Sequence, residues 1–226
     1  MVEYSLLARL RSLDICDLSD AVDALRLPPA VTGMTQTSAG RPIAGRAVTV
    51  KVEAGNAPIA DNPRHLCTTA VELAGPDCVI VIEQRSGIDA AAWGGILARA
   101  AQVRGIAGTI VDGPVRDIEE SDCIGYTVYA RAVTCRTARG RIYETECQTP
   151  ITFGDLVVHP GDYIAIDRSG CVVIPASRID DVLACAEQIR DRSDAMCSSV
   201  YAGTPVSRVM GGNYEHMLQR MTQHET

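Results

Sequence analysis

The sequence predicts an α/β fold built as one domain around a parallel sheet, with helical extensions at both ends. Three observations predict it. Strand-like and helix-like segments alternate between residues 78 and 130, as expected of parallel crossovers. The strand-like segments are unbroken apolar runs, the mark of strands covered on both faces. Helical spacing of leucines fills the first thirty residues, and one long helical pattern runs near the end.

Taken in order, Leu6, Leu7, Leu10 and Leu13 fall on one helical face, and a second helix from Asp17 or Ser19 to Leu25 stops at Pro28-Pro29. A Gly/Thr/Ser-rich connector from Thr32 to Gly40 precedes a strand over 46–53. The loop from Gly55 to Arg64 carries two breakers, Asn56-Ala57-Pro58 and Asp61-Asn62-Pro63. A helix over His65 to Ala74 ends at Gly75-Pro76. The strand Cys78 to Ile82, the helix Ile96 to Val103, the strand 107–111, a short helix over 114–122 and the strand Thr127 to Ala130 follow. Beyond 140, short strands replace this alternation: Phe153 to Asp167, punctuated by Pro160-Gly161-Asp162, then Arg168-Ser169-Gly170 turning into Cys171 to Pro175. These are antiparallel additions. A helix over Ile179 to Tyr201 and a polar tail, 203–226, complete a single domain, 1–226, with its core at about 15–200.

Composition excludes several functions. With 46% apolar and 22% charged residues among 226, the chain matches globular proteins and folds with about 70–75% of its unfolded surface buried. No apolar run approaches the roughly 20 residues of a membrane span. Met1-Val2-Glu3-Tyr4 lacks the basic start and apolar core of a secretory signal, so a cytoplasmic location is expected. A net charge of −7 with no basic cluster argues against a nucleic-acid surface. The nine cysteines are odd in number and dispersed, without CxxC, and are expected as reduced thiols of the interior. Lys51 is the one lysine; its alternating surroundings mark it as a solvent-facing strand residue, so Schiff-base chemistry has little to draw on.

Ligands of such sheets bind where loops leave the carboxyl ends of strands. Two loops qualify: Ser86 to Leu97, containing Trp93-Gly94-Gly95-Ile96-Leu97, and the turn Asp112-Gly113-Pro114-Val115-Arg116-Asp117. Gly94-Gly95 at a helix start offers backbone N–H groups to a small anion. Arg116 adds a charge-assisted, bidentate donor set, and Asp117 a hard ligand for a divalent cation that keeps several waters. Together they suit a 2-oxo acid, with the metal as Lewis acid. Taken alone, the stretch is explained better by turn chemistry: Pro114 as first helical residue, Asp112 or Gly113 as cap, and acids near the helix start. Only Arg116, a cation at the positive end of the helix dipole, escapes that account. GxGxxG and a P-loop are missing, so nucleotide phosphates are not expected.

The stretches AGRAVTV (44–50), AAWGGILARAAQVRGIAGTIVDGPVRD (91–117) and TPITFGDLVVHPGDYIAIDRSGCVVIP (149–175), with DLSDAVDAL (17–25), resemble the RraA-like family over about residues 15 to 200. That family includes the class II 4-hydroxy-4-methyl-2-oxoglutarate/4-carboxy-4-hydroxy-2-oxoadipate aldolases, which also decarboxylate oxaloacetate. The resemblance implies a swivelling β/β/α-type domain, homotrimers often paired into homohexamers, and active sites between subunits. It implies that Gly94, Gly95, Ile96 and Leu97 contact the pyruvyl part of a small 2-oxo acid. Arg116 would bind substrate and steady an enolate, and Asp117 would hold Mg²⁺ or Mn²⁺, partly through water. Such aldolases usually carry an acid where this chain has Gly95. That removes a proton-handling group and opens space, which admits altered chemistry on a bulkier substrate. Asp89 from the same loop, or Glu187 or Asp194 from a neighbouring subunit, are the candidate replacements. Decarboxylation depends less on that acid than retro-aldol cleavage does. The other branch of the resemblance is a non-catalytic regulator of ribonuclease activity; those regulators are shorter, lacking much of the terminal helical extensions. A methyltransferase function has no Gly-rich nucleotide loop to support it.

Overall fold

The computed structural model describes residues 2–38, 40–58 and 64–211. The breaker Asp61-Asn62-Pro63 and the tail after 211 lie outside the described residues. Four strands form the parallel centre: β2 (Ile43–Ala54), β3 (Cys78–Gln84), β4 (Gly108–Val115) and β5 (Val128–Val133), side by side in chain order. β1 (Thr35–Gln36), inside the connector, pairs antiparallel with β5. At the other edge the twelve-residue β2 serves two partners. Its first residues pair with β9 (Tyr163–Ile166), and its last with β6 (Ile142–Cys147), both antiparallel. β10 (Cys171–Ile174) continues from β9, while β7 (Ile151–Phe153) and β8 (Leu156–Val158) make a separate hairpin.

The unbroken apolar runs have the cause expected of them. Along β3, Ile80 and Ile82 face one way and Val79 and Val81 the other, and all four are fully buried. On the first face α3 (Thr68–Leu73), α4 (Gly95–Val103) and α5 (Ile118–Cys123) cover the sheet. On the second, Tyr129, Phe153, Val158, Ile164 and Ile166 fill the interior. A third apolar cluster joins the chain ends. Leu7, Leu10, Leu18 and Val22 of α1 (Val2–Arg11) and α2 (Ile15–Ala24) pack with Val182, Leu183 and Ile189 of α6 (Ile179–Tyr201) over β9 and β10. Asp14 caps α2 by accepting from the Cys16 N–H at 2.8 Å. A short α7 (Val206–Val209) follows.

Several boundaries differ from expectation. The largest difference lies in the Asp-Gly-Pro stretch, which is strand and not helix start: β4 runs through Val115, with Asp112 paired to Glu83 and Pro114 to Ala132. A register shift between Val111 and Pro114 accommodates the proline, whose missing N–H is tolerated at such an irregularity. Neither Asp112 nor Gly113 is a helix cap; α5 starts four residues beyond Pro114. The strand β6 was not expected from the sequence. Of the nine cysteines, all without disulfides, only Cys67, Cys171 and Cys185 are buried, and Cys16, Cys123, Cys135 and Cys197 are exposed. Lys51 is half-exposed on β2, 3.7 Å from Glu53. No helix among the described residues is long and apolar enough to cross a membrane.

Candidate active site

The carboxyl ends of β3 and β4 place the two loops singled out in the sequence against each other. After β3 the chain is fastened by Gln84, a buried side chain whose Nε2 donates to the carbonyls of Ile88 (3.0 Å) and Ala90 (2.9 Å). The loop then lies along the end of β4: the Ala92 N–H donates to the Pro114 carbonyl at 3.0 Å, and the Arg116 N–H to the Trp93 carbonyl at 3.1 Å. Trp93 is buried and stacks on Tyr126, with ring centroids 6.3 Å apart. The aromatic contact and the two backbone bonds hold Gly94 and Gly95 beside Arg116 and Asp117.

Asp117 sits at φ 58°, ψ 44°, the left-handed region, at a cost on the order of 1–3 kcal/mol that is commonly met at functional sites. That conformation ends the strand, opens α5 and turns the carboxylate back toward α4. Its Oδ2 accepts from the Gly95 N–H at 2.9 Å and lies 3.5 Å from Arg116 Nε. Oδ1 has no partner among the described residues. The first turn of α4 leaves the N–H groups of Ile96 and Leu97 without an acceptor among the described residues. The Gly95 amide, expected to be free for a ligand, is instead taken by Asp117.

Both glycines are explained by contact. A Cβ on Gly94 would stand 2.8 Å from Asp117 Oδ2 and 3.3 Å from Arg116 Cγ. A Cβ on Gly95 would run into the Glu120 carboxyl, 2.7 Å from its Cδ. The space beside Gly95 is taken up by the end of the half-exposed Glu120 side chain, which also lies 3.3 Å from Arg99 Nε.

Gly94, Gly95, Ile96, Leu97, Arg116 and Asp117, the six residues singled out in the sequence, line one cavity of about 310 Å³. His65, Thr68, Thr137, Ala138 and Arg139, which the sequence alone does not single out, line the same cavity. His65 and Thr68 come from the entry to α3, and the other three from the loop between β5 and β6. The His65 Nδ1 is 3.1 Å from the Leu66 carbonyl oxygen. Between His65 and Thr68 in the chain, Cys67, also left-handed at φ 65°, donates its N–H to Glu144 Oε2 at 2.5 Å. Burial pushes the Glu144 carboxyl above its usual range, offset in part by the Cys67 N–H and by the charges of Arg64 and His65. Burial also pushes the Cys67 thiol well up, which suits a packing residue and not a nucleophile. Of the three suggested acids, none lines the cavity within this chain. Asp89 pairs with Arg136 at 3.3 Å. Glu187 is held by Arg9 through bonds of 2.7 and 2.8 Å, which keep its carboxyl below the usual range. Asp194 lies on the distal half of α6.

Comparison with known proteins places these features in a wider set. Residues 15–173 match the family model described as RraA-like, Aldolase/RraA. A protein of Halalkalibacterium halodurans, provisionally named a 4-hydroxy-4-methyl-2-oxoglutarate aldolase, is 31% identical over 194 residues, covering 82% of this chain and 84% of its own. Protein DlpA of Legionella pneumophila is 27% identical over 208 residues, 90% of this chain, which spans only 33% of DlpA. Among solved structures, an uncharacterized protein from Pseudomonas syringae pv. tomato superposes with a TM-score of 0.82 at 25% identity, covering 92% of this chain and 98% of that one. The RNA-processing inhibitor RraA from Thermus thermophilis superposes at 0.58 with 25% identity, over 70% of this chain and 92% of its own.

Proposed function

Because this chain belongs to the RraA-like family, we propose that it is a divalent-metal-dependent carbon–carbon lyase that releases pyruvate from small 2-oxo di- or tricarboxylates. The observation that carries this reading is the pairing of a half-exposed guanidinium, Arg116, with a half-exposed carboxylate, Asp117, on one wall of a cavity whose floor is the open first turn of a helix. Relatives named as aldolases support a lyase.

The donor set fits the expected cation. Asp117 has one oxygen, Oδ1, without a partner, and among the described residues no group of three or more His, Cys, Asp or Glu could hold a metal. One carboxylate is too little for structural zinc but suits Mg²⁺ or Mn²⁺, which take one or two carboxylates, oxygen atoms of the substrate and water. When bound, such an ion supplies Lewis-acid polarisation of the 2-oxo group.

The chain's own residues do the rest. Arg116 presents a planar fork to the 2-oxo acid, a pair of charge-assisted bonds contributing about 1.5–3 kcal/mol each. The Ile96 and Leu97 amides add about 0.3–2 kcal/mol at the helix end. As the C–C bond breaks and negative charge moves onto the 2-oxo acid, the same guanidinium stabilises the developing enolate. Trp93, Ala92 and Ala138 give the cavity part of its apolar lining.

The second reading is a non-catalytic regulator of ribonuclease activity, favoured by the superposition on the Thermus inhibitor. Binding of that kind has no need of a cation beside Arg116. Pyruvate release from oxaloacetate and from 4-hydroxy-4-methyl-2-oxoglutarate, with Mg²⁺ and with EDTA, and corrected for the ion's own solution decarboxylation, decides between them. The lyase reading expects Mg²⁺-dependent turnover of one or both. Silence on both supports the regulator.

A further inference from the structure

A lyase that cleaves a 4-hydroxy-2-oxo acid must take a proton from the C4 hydroxyl and return one to C3. With glycine at 95, with Asp89 and Glu187 paired elsewhere and Asp194 on the distal half of α6 away from the cavity lining, the proton must pass through a group that lines the cavity of this chain. The titratable residues lining the cavity are His65, Arg116, Asp117 and Arg139. Arginines do not release protons in this range. Asp117 is engaged with the Gly95 amide and Arg116. That leaves the histidine.

We propose, resting on the lyase reading above, that His65 is the general base and acid of this site. A carbonyl oxygen only accepts, so its 3.1 Å contact with the Leu66 carbonyl keeps the proton on Nδ1. Nε2 is then the bare nitrogen, and it has no partner among the described residues. The charged groups around the ring are Arg64 beside it, Glu144 of β6, and Arg139, Arg116 and Asp117 of the same cavity lining.

The step balances. Nε2 takes the proton of the C4 hydroxyl. The C3–C4 bond breaks, its electron pair passes to the C2 carbonyl as an enolate against Arg116, and C4 becomes the carbonyl carbon of the departing product. The imidazolium then returns the proton to C3, giving the methyl group of pyruvate. Oxaloacetate loses CO₂ with no hydroxyl proton to remove, so its cleavage needs His65 only to return a proton to C3 of the enolate, and not as base.

The test is His65→Gln in the full chain, assayed with Mg²⁺ on both substrates across pH, with circular dichroism to check the fold. His65 is exposed, so the variant is expected to fold. Expected is a fall of about 10²- to 10⁴-fold in kcat for 4-hydroxy-4-methyl-2-oxoglutarate, with KM within about threefold and the shape of the pH profile changed. Oxaloacetate decarboxylation, which uses the histidine only as an acid, should fall by about tenfold less than retro-aldol cleavage does. Equal loss on both substrates, a rise in KM alone, or undiminished retro-aldol turnover would each overturn the assignment while leaving the lyase intact. Wild-type protein inert on both substrates would instead contradict the lyase reading, and the role of His65 with it.

Discussion

At the scale of single residues, the candidate site depends on two side chains of opposite charge with different duties. Asp117→Ala removes the one carboxylate with a free oxygen at the cavity. Mg²⁺-dependent turnover should vanish while circular dichroism keeps the native signal, with a modest fall in Tm because alanine tolerates the left-handed conformation of this position less well and the Gly95 N–H loses its acceptor. Titration with Mn²⁺ should lose its binding signal in the same variant, a readout independent of turnover. Arg116→Lys keeps the charge but loses the fork; a drop of roughly 10- to 100-fold in kcat/KM matches the loss of one charge-assisted bond. Undiminished activity in that variant would remove Arg116 from substrate binding. Both residues were legible in the sequence because Arg116 breaks the rules of helix-start chemistry. His65 and Arg139 were not. They reach the cavity only because α3 and the loop before β6 close over it, a long-range meeting that no local spacing encodes.

At the scale of elements, the tight seating of α4's first turn on the Arg116-Asp117 turn is the feature most open to test. Gly94→Ala would place a methyl 2.8 Å from Asp117 Oδ2, forcing the carboxylate off the Gly95 amide. Activity should fall by tenfold or more, with only a small change in Tm, because a shift of about 1 Å at reacting groups costs on the order of 10²-fold. Steady-state kinetics and a melting curve check both halves. The runs 78–82 and 107–111 identified themselves because both sheet faces are covered. β4 was cut short at Asp112 because Asp-Gly-Pro ordinarily signals a turn, whereas here the pairing with β3 and β5 carries the strand past it. β6 escaped notice because Tyr143, Glu144 and Thr145 are only half-buried and lack an apolar alternation.

At the scale of the whole molecule, the apolar interior is divided, and the division predicts which changes spare the site. The terminal helices pack with β9 and β10 in a cluster separate from the one beneath α4 and α5. Leu183→Ala, at a fully buried position, should cost about 2–5 kcal/mol, each kcal/mol being about 2–4 °C of Tm at this chain length. The kcat should persist below the new transition. A second whole-molecule prediction concerns alkali. Burial raises the Cys147 thiol to about 11 and the Tyr129 hydroxyl to about 12, and pushes Cys67 and Cys171 upward as well. Groups whose folded values exceed their unfolded ones contribute stability that is whole below the unfolded values and is lost as pH rises toward the folded ones. Tm should therefore decline from about pH 9 toward pH 11, and a flat profile over that range would show these groups to be less enclosed than the fold implies.

The central claim, that Arg116 and Asp117 form the metal-assisted centre of a carbon–carbon lyase, is tested most directly by one assay. Pyruvate formation from oxaloacetate is followed before EDTA, after EDTA and after Mg²⁺ is restored, with Asp117→Ala alongside and the solution reaction of Mg²⁺ subtracted. In the wild type, EDTA should abolish turnover and Mg²⁺ restore it, and the variant should show none above background. Turnover that survives EDTA, or that Asp117→Ala retains, would contradict the claim.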